Sequence, residues 1–521
     1  MKFQISVLVL FTFILSLQLH SQTLYFPIQN ELFAPYDTII YNHSTLFHTS
    51  IKPYRFQQHT ELFQIYTPRF RTSNMFLNDI VTAQSYQSRI GEIKISATPV
   101  LTATAGAGTS LVANAEGGFS LNVTYKKISF QSITALSEIR YPNYLNNNVI
   151  LTERLPHFGK YLNENALGYF YLYFSGYLNF RLNQFVETEI GNGKNFWGDG
   201  YRSLFLSDNA ANYPYMKFSF DFWKIKYVWL ATFLTDYDSS AESETPVYAA
   251  KNSVCHYFSW NIGKRFNINA FETIIWNPVD TLGHRGYDIN YLNPVAFYRP
   301  VEFMLGSSDN ALLGAGFRAK VTQNVHLYGQ GILDDFAINQ LRKRNGWWGN
   351  KFGIQLGFKW FTPFQLQNWY AQGEMNYVRP FTYAHHFTLQ NFGHYYQPLA
   401  HPLGANFKEV IGILRYHKDR KLITAKAIVA LTGSDENDTI SNGGNIYKSY
   451  NLRVSEYGIE TGQGVKNTIL YGELKYSYLL NRNWNLYFET VAALRFQKIE
   501  AKNVFDAWLS VGFKTLIYNN E

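Results

Sequence analysis

The sequence predicts an all-β chain: a transmembrane antiparallel β-barrel of about 18 strands with a short periplasmic N-terminal segment. Three observations predict it. Aromatic residues make up 18% of the 521 residues, with 39 Tyr and 42 Phe, while charged residues are only 16%, against the ~25% usual for globular chains. After residue 22 no apolar run approaches the ~18 residues a membrane helix needs. Apolar and polar residues alternate over stretches longer than the ~5–6 residues of an ordinary soluble strand, and the links joining them alternate short and long.

The N-terminus comes first. Lys2, an apolar run from Ile5 to Leu17, and Ser21 before Gln22 read as a secretory signal over residues 1–21. Residues 22–91 hold Pro27, Pro35, Pro53 and Pro68 among short mixed runs, and read as a periplasmic lead-in with a little helix. From about Glu92 to residue 518 the period becomes two, which marks the barrel. One face of Leu470–Leu480 carries Leu470, Gly472, Leu474, Tyr476 and Tyr478, and the other carries Tyr471, Glu473, Lys475 and Ser477. Side chains alternate across a strand, so the first face meets lipid and the second water. Past Asn483 the pattern resumes, with Leu486, Phe488, Leu494 and Phe496 outward and Tyr487, Glu489, Arg495 and Gln497 inward. In Phe266–Trp276 hydropathy leaves the faces ambiguous. A carboxylate toward lipid is costly, so Glu272 is expected in the lumen with Phe271 and Ile275 outward.

Short links fall at Lys418–Arg420, Phe361–Phe364, Thr322–Asn324, Gly263–Arg265, Trp223–Ile225, Arg181–Asn183 and Lys126–Lys127. Long ones fall at 105–117, 141–166, 191–214, 236–252, 277–309, 335–349, 380–406 and 432–465, and only the last, near Glu500, is brief. Periplasmic turns and extracellular loops alternate in this way, and an even strand count returns the chain to the periplasm.

The +8 formal charge is scattered rather than blocked, so nucleic acid is not an expected partner. Cys255 is the only cysteine, which excludes an intramolecular disulfide and a thiolate metal site. No cofactor is expected. His385-His386, if extended, face opposite ways, and His394 and His401 have no nearby acid in sequence, so no metal site is expected. The acidic loop Asp435-Glu436-Asn437-Asp438 lacks EF-hand spacing.

Function should lie in the outward loops. The stretch Gly191–Asn212, GNGKNFWGDGYRSLFLSDNAAN, is longer than a turn requires and richer in Gly and Asn. Trp197, Asp199, Tyr201, Arg202 and Asp208 combine aromatic faces with charged hydrogen-bonding groups, a mixture that suits a glycan. The same residues could instead pair with one another and pin a plug, Arg202 with Asp199 or Asp208. Arg342, Lys343, Arg344, Trp347 and Trp348 form a basic and aromatic rim cluster, suited to an anionic polysaccharide, to lipopolysaccharide phosphate, or to a girdle at the lipid headgroups. Tyr395 and Tyr396, with His394, His401 and Asn406, lie in GHYYQPLAHPLGANF, whose prolines and glycines suggest a fixed loop. Ser203, Ser207 and Ser307 have no motif tying them to a His–Asp pair, so no enzyme is expected. A diffusion channel and a rim hydrolase remain the alternatives.

The run GNGKNFWGDGYRSLFLSDNAANYPY resembles the signature of the Wzi-type capsule-assembly outer-membrane proteins, with supporting matches in FETIIW, YLNPVAFYRP and YGQGILDDF. Within that family it is similar to the branch of gliding bacteria that includes the gliding-motility protein RemB, where GHYYQPLAHPLGANF has its likeness. The resemblance implies an 18-stranded barrel in the outer membrane, a helical periplasmic part, a lumen largely closed by loops, and a lectin-like hold on capsular polysaccharide. Implied partners are outer-membrane lipid and lipopolysaccharide, surface polysaccharide, and motility or envelope proteins.

Overall fold

The computed structural model describes residues 24–34, 36–42, 47–55, 83–237, 247–280, 283–284, 286–293, 309–500 and 502–519. The expected signal, YLNPVAFYRP from residue 294 onward, and Ser307 lie outside these residues.

Among the described residues eighteen antiparallel strands form one closed barrel. They are β1 Ile93–Gly108, β2 Val112–Tyr125, β3 Ile128–Arg140, β4 Gly168–Arg181, β5 Val186–Gly193, β6 Tyr213–Phe222, β7 Ile225–Tyr237, β8 Tyr248–Ile262 and β9 Phe266–Trp276. The second half comprises β10 Asn310–Lys320, β11 Val325–Leu333, β12 Phe352–Phe361, β13 Trp369–Val378, β14 Phe407–Lys418, β15 Lys421–Ser434, β16 Val465–Asn481, β17 Leu486–Ile499 and β18 Lys502–Thr515. Each strand pairs with the next, and β18 closes on β1, with Trp508 opposite Gly108 and Lys514 opposite Thr102. Closure leaves no unpaired edge, which backbone in hydrocarbon requires.

Short turns gather at one end, at 126–127, 182–185, 223–224, 263–265, 321–324, 362–368, 419–420 and 482–485. Long links gather at the other, as expected, with one correction. The link expected over 105–117 is the tight turn 109–111, because β1 and β2 pair up to Gly106 opposite Val112. Small residues there erase the hydropathy signal. They are small for a steric reason: a Cβ on Gly108 would lie 2.0 Å from the Ala507 carbonyl oxygen on β18.

The outer surface is an apolar band, with Phe119, Leu172, Ile190, Leu313, Ile354, Leu414, Leu474, Leu494 and Leu509 all exposed. A water-soluble chain rarely leaves so much contiguous apolar surface uncovered. In β16 the register is as the alternation predicts: Leu474 is exposed, whereas Lys475 and Ser477 are buried inside.

β9 overturns its expectation. Phe271 and Ile275 are buried in the lumenal core beside Trp197 and Phe205, and Glu272 lies on the outer face, opposite the exposed Leu313 of β10. The carboxylate is nonetheless only 4% exposed. The link after β9 folds down this wall, where Tyr287 and Tyr291 pack 5.0 and 5.1 Å from the Trp276 ring. The rule that carboxylates avoid lipid still holds, since protein covers this one. The inward face is apolar because a dry plug fills the lumen against it.

The N-terminal segment is also corrected. Its described residues 24–34, 36–42 and 47–55 form a strap drawn up into the short-turn end of the lumen instead of a lead-in below it, whereas Tyr86–Ile90 is a strand paired with the start of β1, Ile90 opposite Ile93 and Tyr86 opposite Ala97. Two short helices, Asn30–Phe33 and Asp37–Asn42, precede the strand Ile51–Lys52. Buried ion pairs tie the strap to the wall: Arg55 to Glu187 at 2.6 Å and Asp221 at 2.7 Å, Asp37 to Arg415 at 2.7 Å, and Glu31 to Lys475 at 3.1 Å. Phe33, Tyr41, Phe47 and Tyr54 form a small apolar core with Phe361 and Tyr370 of the wall.

Candidate functional site

The link 194–212 follows β5 and turns inward, filling the lumen. Trp197, Leu204, Phe205, Leu206 and Ala210 share one core with Tyr257, Phe271, Leu312 and Ile332 of the wall and with Tyr383, Phe392, Leu399 and Tyr447 of two other links. Trp197 is fully buried and stacks on Tyr257 at 5.1 Å. Its backbone pairs with Ile51 of the strap, so strap and plug are hydrogen-bonded together. Phe205 stacks on Phe271 at 5.1 Å and needs Gly314 beside it, where a Cβ would sit 2.4 Å from the Phe205 ring.

The polar residues of the plug have their own partners. Asp199 accepts hydrogen bonds from Thr49 and from Tyr41 at 3.3 Å, both in the strap. Asp208 accepts from the Asn519 amide at 2.8 Å, and its carbonyl accepts from Lys194 at 3.0 Å. Neither carboxylate forms an ion pair with Arg202 among the described residues, which corrects that expectation. Arg202 and Tyr201 are instead anchored through their backbone: both N–H groups donate to the Glu374 carboxylate, at 3.1 and 2.7 Å. The guanidinium lies 4.9 Å over the Tyr201 ring. Burial pulls it down, but Tyr201, Glu409, Glu374 and Asp208 outweigh this and hold it above its ordinary value.

The plug presses against one side of the barrel and leaves the other side open. Between it and β14–β18 and β1–β3 is a cavity of about 640 Å³, into which Tyr201 and Arg202 project. The opposite wall supplies Lys426, Tyr471, Arg495 and Trp508. The helix Asn143–Thr152 hangs over it and places Tyr144 between Arg495, 4.4 Å from its ring, and Trp508, at 6.3 Å and nearly parallel. Lys426 donates to the Tyr201 hydroxyl at 3.2 Å and pairs with Glu473 at 3.4 Å. This is a wet cleft of aromatic faces and charged donors that can stack against a ring and hydrogen-bond hydroxyls.

The fate of the individual site residues follows from that asymmetry. Of the central stretch, Tyr201, Arg202 and Asn209 line the large cavity. Trp197, whose aromatic face was one of those suited to a glycan, is sealed in the core. Tyr144, Tyr471, Arg495 and Trp508 were not singled out as candidates, although the alternation turns Tyr471 and Arg495 inward. No local signal brings Tyr144 to them.

The rim clusters are fixed. Tyr396 stacks on Tyr447 at 4.1 Å, and its N–H donates to Asp236 at 2.9 Å. The Tyr395 N–H donates to the Thr235 carbonyl at 2.7 Å. His401 lies 2.7 Å from Glu409, and the Asn406 amide donates to the Gly433 and Gln463 carbonyls. His385 and His386 are not splayed, their ring centroids being 4.1 Å apart. Trp348 leaves the lipid girdle to join two links: it sits 4.8 Å from Tyr450, beneath Arg453, and donates to Glu456 at 2.6 Å. Trp347 is half-buried beside it, whereas Arg342 and Arg344 are exposed.

A closed barrel of this size plugged by its own links is an architecture of outer-membrane proteins. Among solved structures the chain is similar to Wzi, described as an outer-membrane protein involved in group 1 capsule assembly in Escherichia coli and as a carbohydrate-binding β-barrel. The TM-score is 0.57 at 12% identity, covering 95% of this chain and 100% of that chain. OccAB2 of Acinetobacter baumannii (TM-score 0.43, 10% identity, 84% of this chain and 98% of that chain) and OprD of Pseudomonas aeruginosa (0.44, 8%, 80% and 94%) are more distant. No protein-family model matches the chain. No curated protein matches it either. The likeness to Wzi is one of fold.

Proposed function

We propose that this chain is an outer-membrane barrel that binds surface polysaccharide, seating a segment of it in the lumenal cavity without catalysis. One observation carries the reading. Arg202 on its Tyr201 ring faces the Arg495–Tyr144–Trp508 stack across a cavity of about 640 Å³, which offers aromatic planes and charged donors on two sides. The Wzi-like fold supports the same reading, since that protein is a carbohydrate-binding barrel. A glycan array probed with the purified barrel tests it: wild type should retain at least one polysaccharide class and Arg202→Ala should lose it.

The strap argues against a diffusion channel. Its ion pairs to Glu187, Arg415 and Lys475 lie across the short-turn end of the lumen, so planar bilayers should record no large steady conductance. Binding without hydrolysis is supported by two of the three candidate hydroxyls. Ser203 donates to the Trp197 carbonyl at 2.6 Å, and Ser207 to the carbonyls of Leu399 and Ala400. Capsule retention and participation in gliding machinery are the finer extensions of this reading, motivated by the resemblance of the 393–407 run. Loss of surface polysaccharide and of colony spreading in a deletion strain would support them in turn.

A further inference from the structure

The helix Ile338–Lys343, in the link between β11 and β12, has no role in the plug or cavity. Its side chains are exposed or half-buried: Ile338 is 55% and Leu341 42% exposed, with Phe336 just before them at 42%. These residues continue the lipid-facing surface. Phe336 packs edge-on against Phe352, at 6.3 Å. Phe352 is on the outward side of β12, in alternation with the exposed Ile354 and Leu356. On β11 the last outward residue is Leu333, 40% exposed and three positions before Phe336. The helix therefore lies on the outside of the barrel, where the apolar band meets the long-link end.

Three consecutive cations, Arg342, Lys343 and Arg344, close this helix, and all three are exposed. None of them makes an ion pair among the described residues. Three acids of the surrounding links are held elsewhere: Asp334 and Asp335 by Lys351, at 2.7 and 2.9 Å, and Glu456 by Arg453 and Trp348. Uncompensated cations above an apolar patch, level with the headgroups of a bilayer, complement an anionic amphiphile: phosphate to the guanidinium groups, acyl chains to the apolar residues.

We propose that this helix is a docking site for a phosphorylated glycolipid of the outer leaflet, of the lipid A kind. Arg342, Lys343 and Arg344 take the phosphates, and Phe336, Ile338 and Leu341 lie against the acyl chains. The inference rests on the outer-membrane reading but not on polysaccharide binding.

Native mass spectrometry of the full-length barrel, purified in detergent and titrated with bisphosphorylated lipid A, tests it. Wild type should hold lipid A on the order of 100-fold more tightly than Arg342→Ser/Lys343→Ser/Arg344→Ser, given roughly a factor of five for each cation at an anionic surface. Leu341→Ser should weaken the same complex, and lipid A stripped of phosphate should bind wild type as poorly as it binds the triple variant. Heat-modifiable gel mobility, unchanged in both variants, shows that they are folded. Equal lipid A binding by wild type and the triple variant overturns the proposal. So does displacement by millimolar inorganic phosphate, which would mark a site for free anions. A barrel that fails to insert into vesicles would sink the membrane reading and this site with it.

Discussion

Trp197→Ala and Arg202→Ala, five residues apart in one loop, should fail in opposite ways. Trp197 has no exposed surface, stacks on Tyr257 and packs edge-on against Phe271. Its removal leaves a void in the plug core that the rigid barrel wall cannot collapse to fill, and Trp→Ala changes in such settings cost about 3–5 kcal/mol. The plug is held mainly by this core and by hydrogen bonds to its main chain, including those from the Gln330 and Ser203 side chains to the Trp197 carbonyl. A loss of that size should open it a measurable fraction of the time. Arg202 forms no ion pair among the described residues, and its backbone anchor to Glu374, like that of Tyr201, survives truncation. Its removal should leave the plug closed and delete charged hydrogen bonds to ligand, about 1.5–3 kcal/mol, or roughly 10- to 150-fold in affinity. Single-channel recording and glycan retention on the same preparations separate the two effects. Trp197→Ala should flicker between closed and conducting states, whereas Arg202→Ala should stay silent and lose glycan. A leaking Arg202→Ala barrel, or a silent Trp197→Ala barrel that binds no glycan, would refute this division of labour.

Other outcomes follow from the same contacts. Arg55→Ala leaves Glu187 buried without its cation, a loss of about 3–5 kcal/mol, so the strap should become protease-sensitive from the short-turn side while the barrel keeps its heat-modifiable mobility; a protected strap would deny the ion pair its role. Leu474→Arg places a charge in the lipid band and should block insertion, at ~2–4 kcal/mol near the midplane, whereas Lys475→Leu should insert and only loosen Glu31 of the strap; equal damage would mean the register is off by one. Burial pushes His157 and His394 of the long links down from 6.5 to about 4. Lys194 and Arg202 lower His157 further while Asp208 raises it, and Lys251 and Asp236 act on His394 in the same two directions. A depressed folded value means that the neutral rings contribute stability present above pH 6.5 and lost as pH falls toward 4, about 3 kcal/mol for each ring at the limit. Limited proteolysis of the links should therefore accelerate between pH 6 and 4, and a flat profile would count against both rings.

The sequence by itself determined the barrel. Lipid and water sort side chains residue by residue, so the alternation in β16 and β17 can be read without knowing what lies across the lumen. The alternation of link lengths adds the strand count and sorts the links to the two ends of the barrel. It also marked Gly191–Asn212 as the organising stretch, because that many glycines and aromatics in one link have few other uses. It could not decide what covers each face. In β9 the inward side chains are Phe271 and Ile275 because a hydrophobic plug meets them, and Glu272 is tolerated outside because protein covers it, leaving it 4% exposed; a local pattern shows neither. The cavity was invisible for the same reason. Tyr144, Arg495 and Trp508 converge from a loop helix and two strands, and a local pattern carries no information on which inward residues the plug will leave uncovered. Only the tertiary packing, dry against β8–β11 and open toward β14–β18, decides that Trp197 is buried while Tyr201 and Arg202 face the space where a ligand can sit.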